Sequence, residues 1–178
     1  MNSPLQRSTF VTVLAWIFIV LSGFGTLISI LQNIMLQTMF STPELQAAMQ
    51  APPPPGTPAF ASFLLAHFQW FFLLFLAFSA TTLAASIALL RRRNWGRLLF
   101  VGLMVFGILW NLGGLALQFA MFGSMRQQFQ AAPGAPDMGP FFIAMAVATV
   151  LFALGFSALF GWIAKRLLSP QVASEFAR

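Results

Sequence analysis

Apolar residues fall in four long runs, Phe10–Leu36, Phe60–Leu90, Leu98–Phe122 and Phe141–Ala164, and no Asp, Glu, Lys or Arg interrupts any of them. A bilayer core about 30 Å thick is crossed by roughly 20 apolar residues of helix, so each run is long enough. In lipid, segments of this length satisfy their backbone groups only as helices. The pattern predicts an all-α integral membrane four-helix bundle. Helices are expected at about 10–36, 60–90, 98–122 and 141–164, with outer loops at about 37–59 and 123–140.

The polar segments set the connections. In the first outer loop, Ser41-Thr42-Pro43-Glu44 is a helix-start signal, with a hydroxyl cap, Pro at the first position and an acid in the first turn. A short interfacial helix through Gln50 is expected, and Pro52–Pro55 with Gly56 then imposes an extended break. Helix two, opening near Phe60, is longer than a bilayer requires and is expected to tilt or project outward. The turn Arg91–Arg97 is very short, so helices two and three should be antiparallel neighbours. The second outer loop carries Pro133-Gly134 and Pro136-Asp137. Ser169-Pro170 should stop helix four and leave a polar tail.

A spacing recurs between the halves. Ser22, Thr26, Ser29 and Asn33 are separated by steps of 4, 3 and 4 residues, as are Gly107, Asn111, Gly114 and Gln118. The loops that follow resemble each other in style, and each second helix ends in basic residues. The expectation is two tandem antiparallel helical hairpins within a single four-span domain, related by an axis along the membrane normal.

Composition sharpens this picture. The 178 residues are 59% hydrophobic and 7% charged, against roughly 25% charged in soluble domains. The net charge of +6 invites a nucleic-acid reading, but its distribution argues for topology. Arg7, Arg91, Arg92, Arg93, Arg97, Lys165, Arg166 and Arg178 all fall on one side of the four spans, and only Arg126 falls on the other. Basic loops stay cytoplasmic, so both termini and the Arg91–Arg97 turn are expected there. Membrane lipid is the first expected partner, through anionic headgroups, and nucleic acid is not expected. There is no cysteine, which excludes thiol redox chemistry and disulfide exchange. The first run is about twice the length of a signal-peptide core and lacks a clear cleavage site, so it is expected to be retained.

Candidate chemistry is sparse. The 4-3-4 spacing puts Ser22, Thr26, Ser29 and Asn33 on one helical stripe, and Asn111 and Gln118 on another. Two readings follow for this intramembrane seam. One is a polar path lined by Thr26, Asn33, Asn111 and Gln118. The other is close packing between helices one and three, favoured because ion paths usually include a charge. Small residues every fourth position, Thr149, Ala153, Ser157 and Gly161 in helix four and Ala80, Ala84 and Ala88 in helix two, make further packing faces. His67 is the only histidine and lies about two turns into the second run. With no acid within a turn, it reads as an interfacial residue rather than a metal ligand or proton relay. The three acids, Glu44, Asp137 and Glu175, all lie in loops. No metal, cofactor or catalytic site is expected. The 22 phenylalanines include a cluster in helix two, where a lipid or quinone pocket is the sharper alternative to plain bulk.

The turn Arg91-Arg92-Arg93-Asn94-Trp95-Gly96-Arg97 is the most distinctive motif. Its arginines hold the turn in the cytoplasm, Trp95 anchors at headgroup level, and Arg97 snorkels from helix three; Lys165 and Arg166 anchor helix four in the same way. The motif resembles a turn found in small bacterial four-helix inner membrane proteins of unknown function, with basic residues, Asn, Trp, a small residue and Arg between helices two and three. The resemblance implies a bacterial inner membrane location and brings no activity with it. The functional expectation is a non-enzymatic accessory or structural subunit acting through helix association, with a homo-oligomer or a membrane protein partner. The alternatives are a small homo-oligomeric transporter or channel, and a lipid- or quinone-binding protein.

Overall fold

A computed structural model of the chain describes residues 8–40, 63, 67–131 and 139–176. These residues form long helices and no strand. Helix α1 spans Thr9–Phe40, α2 Phe68–Leu90, α3 Asn94–Ala131 and α4 Gly139–Leu168. A short helix α5, Pro170–Ala173, and a 3-10 turn, Ser174–Phe176, follow. The expected interfacial helix up to Gln50, the proline run and the prolines of the second outer loop lie outside the described residues.

All four long helices are apolar and long enough to cross a membrane, and this identifies a multi-pass membrane protein. At 1.5 Å per residue, the 23 residues of α2 reach about 35 Å, close to a bilayer core. The 32 residues of α1 and the 38 of α3 exceed it. Most of the expected start of helix two near Phe60 falls on residues not described. Phe63 is helical, but His67 leaves the helical basin at φ −113° and ψ 17° and forms the N-cap of α2. Among the described helices, α1, α3 and α4 are longer than a bilayer core requires.

The described residues divide into two compact units, one within 8–96 and the other within 97–176. In the first unit α1 and α2 pack as an antiparallel hairpin. Arg92 reaches Ser8 and Thr12, Ser79 reaches Ser22 and Thr26, and Asn33 reaches Phe72, so partners descend along α2 as they ascend along α1. The most deeply buried side chains of this unit, Val11, Ala15, Ala85, Ser86 and Leu89, gather near its basic end.

The turn from α2 into α3 is built from backbone. The Arg93 N–H donates to the Ala88 carbonyl at 2.9 Å and the Arg92 N–H to the Leu89 carbonyl at 3.0 Å. This pair of bonds is a Schellman cap, whose pivotal residue sits in the left-handed region. That residue is Arg92, at φ 55°. Helix α3 then starts at Asn94, earlier than the expected 98, because the cap closes α2 within three residues. Gly96 lies directly on the end of α2. A Cβ there would stand 2.4 Å from Ala88 Cβ and 3.0 Å from the Ala88 carbonyl carbon.

In the second unit α3 approaches α4 closely at Gly107, where a Cβ would meet the Phe160 ring at 2.9 Å. Phe100, Met104, Ile163 and Leu167 are buried, and so are Val172 and Phe176 of the tail. The tail expected to be merely polar is anchored by these two apolar side chains. Ser169 is extended, and Pro170 starts α5 immediately after it. Further along the spans, burial falls away: Trp110 is 66% and Phe152 68% exposed.

Gly96→Ala should cost about 1–3 kcal/mol in reversible unfolding from detergent, because backbone as well as side chain must yield. Gly102→Ala, where a Cβ meets nothing within 4 Å, should instead gain up to about 1 kcal/mol from helix propensity. Equal effects at the two glycines would refute the close-contact account of the turn.

Candidate functional site: a hydrogen-bonded seam and a basic turn

A hydroxyl in an apolar helix can donate to the carbonyl four residues back, which removes an unsatisfied polar group at little cost. Helix α1 does this repeatedly. Ser22 donates to the Phe18 carbonyl, Thr26 to Ser22 at 2.7 Å, Ser29 to Gly25 at 2.7 Å, and the Asn33 amide to Ser29 at 2.8 Å. Helix α2 follows the same rule, with Thr82 donating to Phe78 at 2.8 Å and Ser86 to Thr82 at 2.7 Å.

Three contacts then cross between the helices. Thr26 Oγ1 and Ser79 Oγ lie 2.9 Å apart, Ser79 Oγ donates to the Ser22 carbonyl at 3.2 Å, and Asn33 Nδ2 donates to the Phe72 carbonyl at 3.2 Å. Ser22, Ser29, Ser79, Thr82 and Ser86 are all buried. Gly25 allows this approach, since a Cβ there would sit 3.0 Å from Ser79 Oγ. The sequence reading expected helix three as the partner of the α1 stripe; the partner found across it is α2. The complementary row, Ser79, Thr82 and Ser86, has helical spacing of its own, and that signal was open to sequence reasoning.

Asn111 and Gln118 belong to the other unit, on α3, and both are half-buried. Of the six seam candidates, the structure brings Ser22, Thr26, Ser29 and Asn33 into one hydrogen-bonded row. On α4, Ser157 Oγ is buried without a hydrogen-bond partner. His67 is exposed, its ring stacked on Phe63 at 4.4 Å with Nδ1 3.0 Å from the Phe63 carbonyl oxygen. It is the N-cap of α2, and most of the helix expected before it falls outside the described residues. Among the described residues no three His, Asp or Glu side chains gather closely enough to hold a metal ion.

The basic residues divide by role. Arg91 and Arg93 are exposed, as is Trp95. Arg92 is half-buried and donates from one guanidinium nitrogen to the Ser8 carbonyl and to Thr12 Oγ1, both at 3.1 Å. Hydrogen bonds from a charged group are worth about 1.5–3 kcal/mol each. They offset about 1–2 kcal/mol for a left-handed non-glycine residue, and the smaller penalty for a cation at a helix N-terminus. Arg92 thus ties both ends of the hairpin together. Arg97 is half-buried too. Its guanidinium carbon lies 5.7 Å from the centre of the Phe176 ring, and its Nε is buried without a hydrogen-bond partner. It meets the tail in a cation–π contact. Lys165 and Arg166 are exposed in the last turn of α4, where positive charge complements the helix dipole.

The chain matches no family model, no curated protein and no solved structure.

A double-mutant cycle on Thr26→Ala and Ser79→Ala should return a coupling of about 0.6 kcal/mol and not above about 1.7 kcal/mol, the range for hydrogen bonds between helices in lipid. A coupling indistinguishable from zero would remove the seam as an interaction. In the turn, Arg92→Ala should unfold more readily than Arg92→Gly by about 1 kcal/mol, because both lose the guanidinium and only Gly relieves the backbone.

Proposed function

We propose that this chain is a non-enzymatic subunit of the membrane that acts through helix association, recruiting or steadying a membrane protein partner. One observation carries the reading. The polar row of α1 is matched by α2 within the hairpin, while the apolar faces remain uncovered. Of the most apolar stretch of each span, 33% of residues are buried in α2, 22% in α1, 17% in α3 and 11% in α4. Lipid covers such faces without penalty, and so does another helix. The row of Thr149, Ala153, Ser157 and Gly161 on α4 is buried or half-buried, with Gly161 beside Ile108 of α3, so the faces left for a partner are those of exposed residues such as Leu151 and Phe152.

The same matching weighs against a permeation path lined by Thr26 and Asn33, since the Thr26 hydroxyl and the Asn33 amide nitrogen already have partners. On the positive-inside rule, both termini and the Arg91–Arg97 turn face the cytoplasm. The resemblance of that turn favours the inner membrane of a bacterium.

A cysteine-free chain suits cross-linking. Single cysteines at exposed Leu151 and Phe152 of α4 should give discrete disulfide-linked or reagent-linked products in the native membrane, whereas a cysteine at buried Ser86 should give none. Mass spectrometry of the products names the partner. Absence of any product from every exposed position on α3 and α4 would overturn the association reading. Asn111→Leu should leave the products unchanged; loss of an ion or solute flux with products intact would instead establish the transport reading.

A further inference from the structure

A polar side chain surrounded by lipid needs a partner from protein, and on α3 one such side chain has none within the described residues. Asn111 is half-buried. Counted from Leu98, where the apolar run begins, it stands about 20 Å into the span at 1.5 Å per residue. That is inside a hydrocarbon layer about 30 Å thick. Among the described residues the amide of Asn111 makes no hydrogen bond, and neither does that of Gln118. Gln118 stands about 30 Å in, at the far edge of the layer, where water reaches it. Asn111 lacks that relief.

Helix α4 does not supply the partner. The two helices run antiparallel: a Cβ on Gly107 would lie 2.9 Å from the Phe160 ring, and the Phe122 and Phe142 rings are 6.0 Å apart. This register brings Ser157 to about the level of Asn111, yet Ser157 Oγ is buried without a hydrogen-bond partner. In the first unit, by contrast, the Thr26 and Ser79 hydroxyls and the Asn33 amide nitrogen are all engaged within their own hairpin.

The surface beside Asn111 is shaped for close approach. Asn111, Gly114 and Gln118 follow one another by three and then four residues, the a, d and a positions of a heptad seam. At Gly107, one heptad before Gly114, Phe160 fills the same stripe. At Gly114 the stripe is open. Gly113 and Gly114 are exposed, and a Cβ on either would meet nothing within 4 Å. Two adjacent glycines weaken a helix, and no contact among the described residues uses the space they leave.

We propose that this stripe pairs α3 with α3 of a second copy of the chain, the two Asn111 amides exchanging N–H···O bonds across a two-fold axis. The proposal rests on the association reading and names the partner. An amide is donor and acceptor at once, so it complements its own copy. Two copies inserted with the same topology carry Asn111 at the same depth; a different protein would need a polar side chain placed at that depth. One Asn at an a position fixes register and strand number in such a seam, and glycine beside it lets the backbones come close. An isologous contact of this kind closes at two subunits.

The test uses the purified full-length chain in phosphatidylcholine liposomes, with donor and acceptor dyes on separate pools of the Arg91→Cys protein. Energy transfer should exceed that of random proximity and fit a dimer. Asn111→Leu should weaken the dimer about tenfold, the loss of two hydrogen bonds of the usual strength between helices. Asn111→Gln, which keeps an amide, should lose less. Leu is a good helix former and as apolar as lipid, so Asn111→Leu should fold, as circular dichroism checks. Gly114→Cys, oxidised in the bilayer, should give a disulfide-linked species of twice the chain mass. Gly102→Cys, about 180° around α3 from Asn111, should not. Transfer no greater than random, or an Asn111→Leu dimer as strong as the original, would overturn the proposal. Cross-links from Leu151 and Phe152 report other faces and should not respond to Asn111→Leu. Products there with another protein, but no self-linked Gly114→Cys species, would remove the second copy as partner and leave the association reading standing. Absence of both would remove both.

Discussion

Lipid offers no hydrogen bonds, and the arrangement of this protein follows from that constraint. A polar group in an apolar helix must find its partner in the protein. The hydroxyls of α1 and α2 answer locally, through carbonyls one turn back, before they answer each other. Only then do Thr26, Ser79 and Asn33 reach across. Such bonds between helices are weak, because the unassembled helices in lipid also satisfy their polar groups. The seam therefore fixes register and approach more than it supplies stability. Close contact permitted by small residues, such as Gly25 against Ser79, carries the packing.

The basic turn bears more of the load than its charge implies. Residues that set topology by charge need only be positive, and exposed Arg91 and Arg93 make no further demand on the fold. Arg92 is different. It occupies the left-handed position where glycine is usual, and it stays there because its guanidinium crosses to the start of α1. Gly96 is needed four residues later, where α3 leaves the end of α2 without room for a methyl group. Arg97 then holds the tail through Phe176. Within seven residues, a reverse turn, a hairpin clasp and a tail anchor are combined with the topological signal.

The spans were legible in the sequence because a charge in lipid is costly and its absence over twenty residues is rarely accidental. The helix ends were less legible, since α3 begins inside the polar turn and α1 continues through Gln37 and Thr38. Spacing identified the polar face of α1, yet a face does not name its partner. The row of Ser79, Thr82 and Ser86 on α2 was the missing half. His67 interrupts the second run with no Gly or Pro beside it to announce a turn. Arg92 gave no sign of a left-handed backbone, because the cause is a contact with residues some eighty positions earlier. Buried Val172 and Phe176 carry no sequence signal, because two apolar residues in a short polar stretch make no periodic pattern.

Burial is uneven along these helices, and the unevenness constrains how the protein can work. In each unit the tightly packed side chains include those at the basic end: Ala85, Ser86 and Leu89 in one, Phe100, Ile163 and Leu167 in the other. Away from that end Trp110, Leu151 and Phe152 are exposed, and only scattered residues such as Phe142 and Ala153 are buried. A soluble domain could not leave such surface bare, but in a bilayer lipid tails match it and no hydrophobic force draws the helices together. Association there depends on shape and on the occasional polar group, so a smooth small-residue row is worth more than a bulky one. Within each unit the packed end keeps its two long helices in register, while the apolar faces away from it stay exposed.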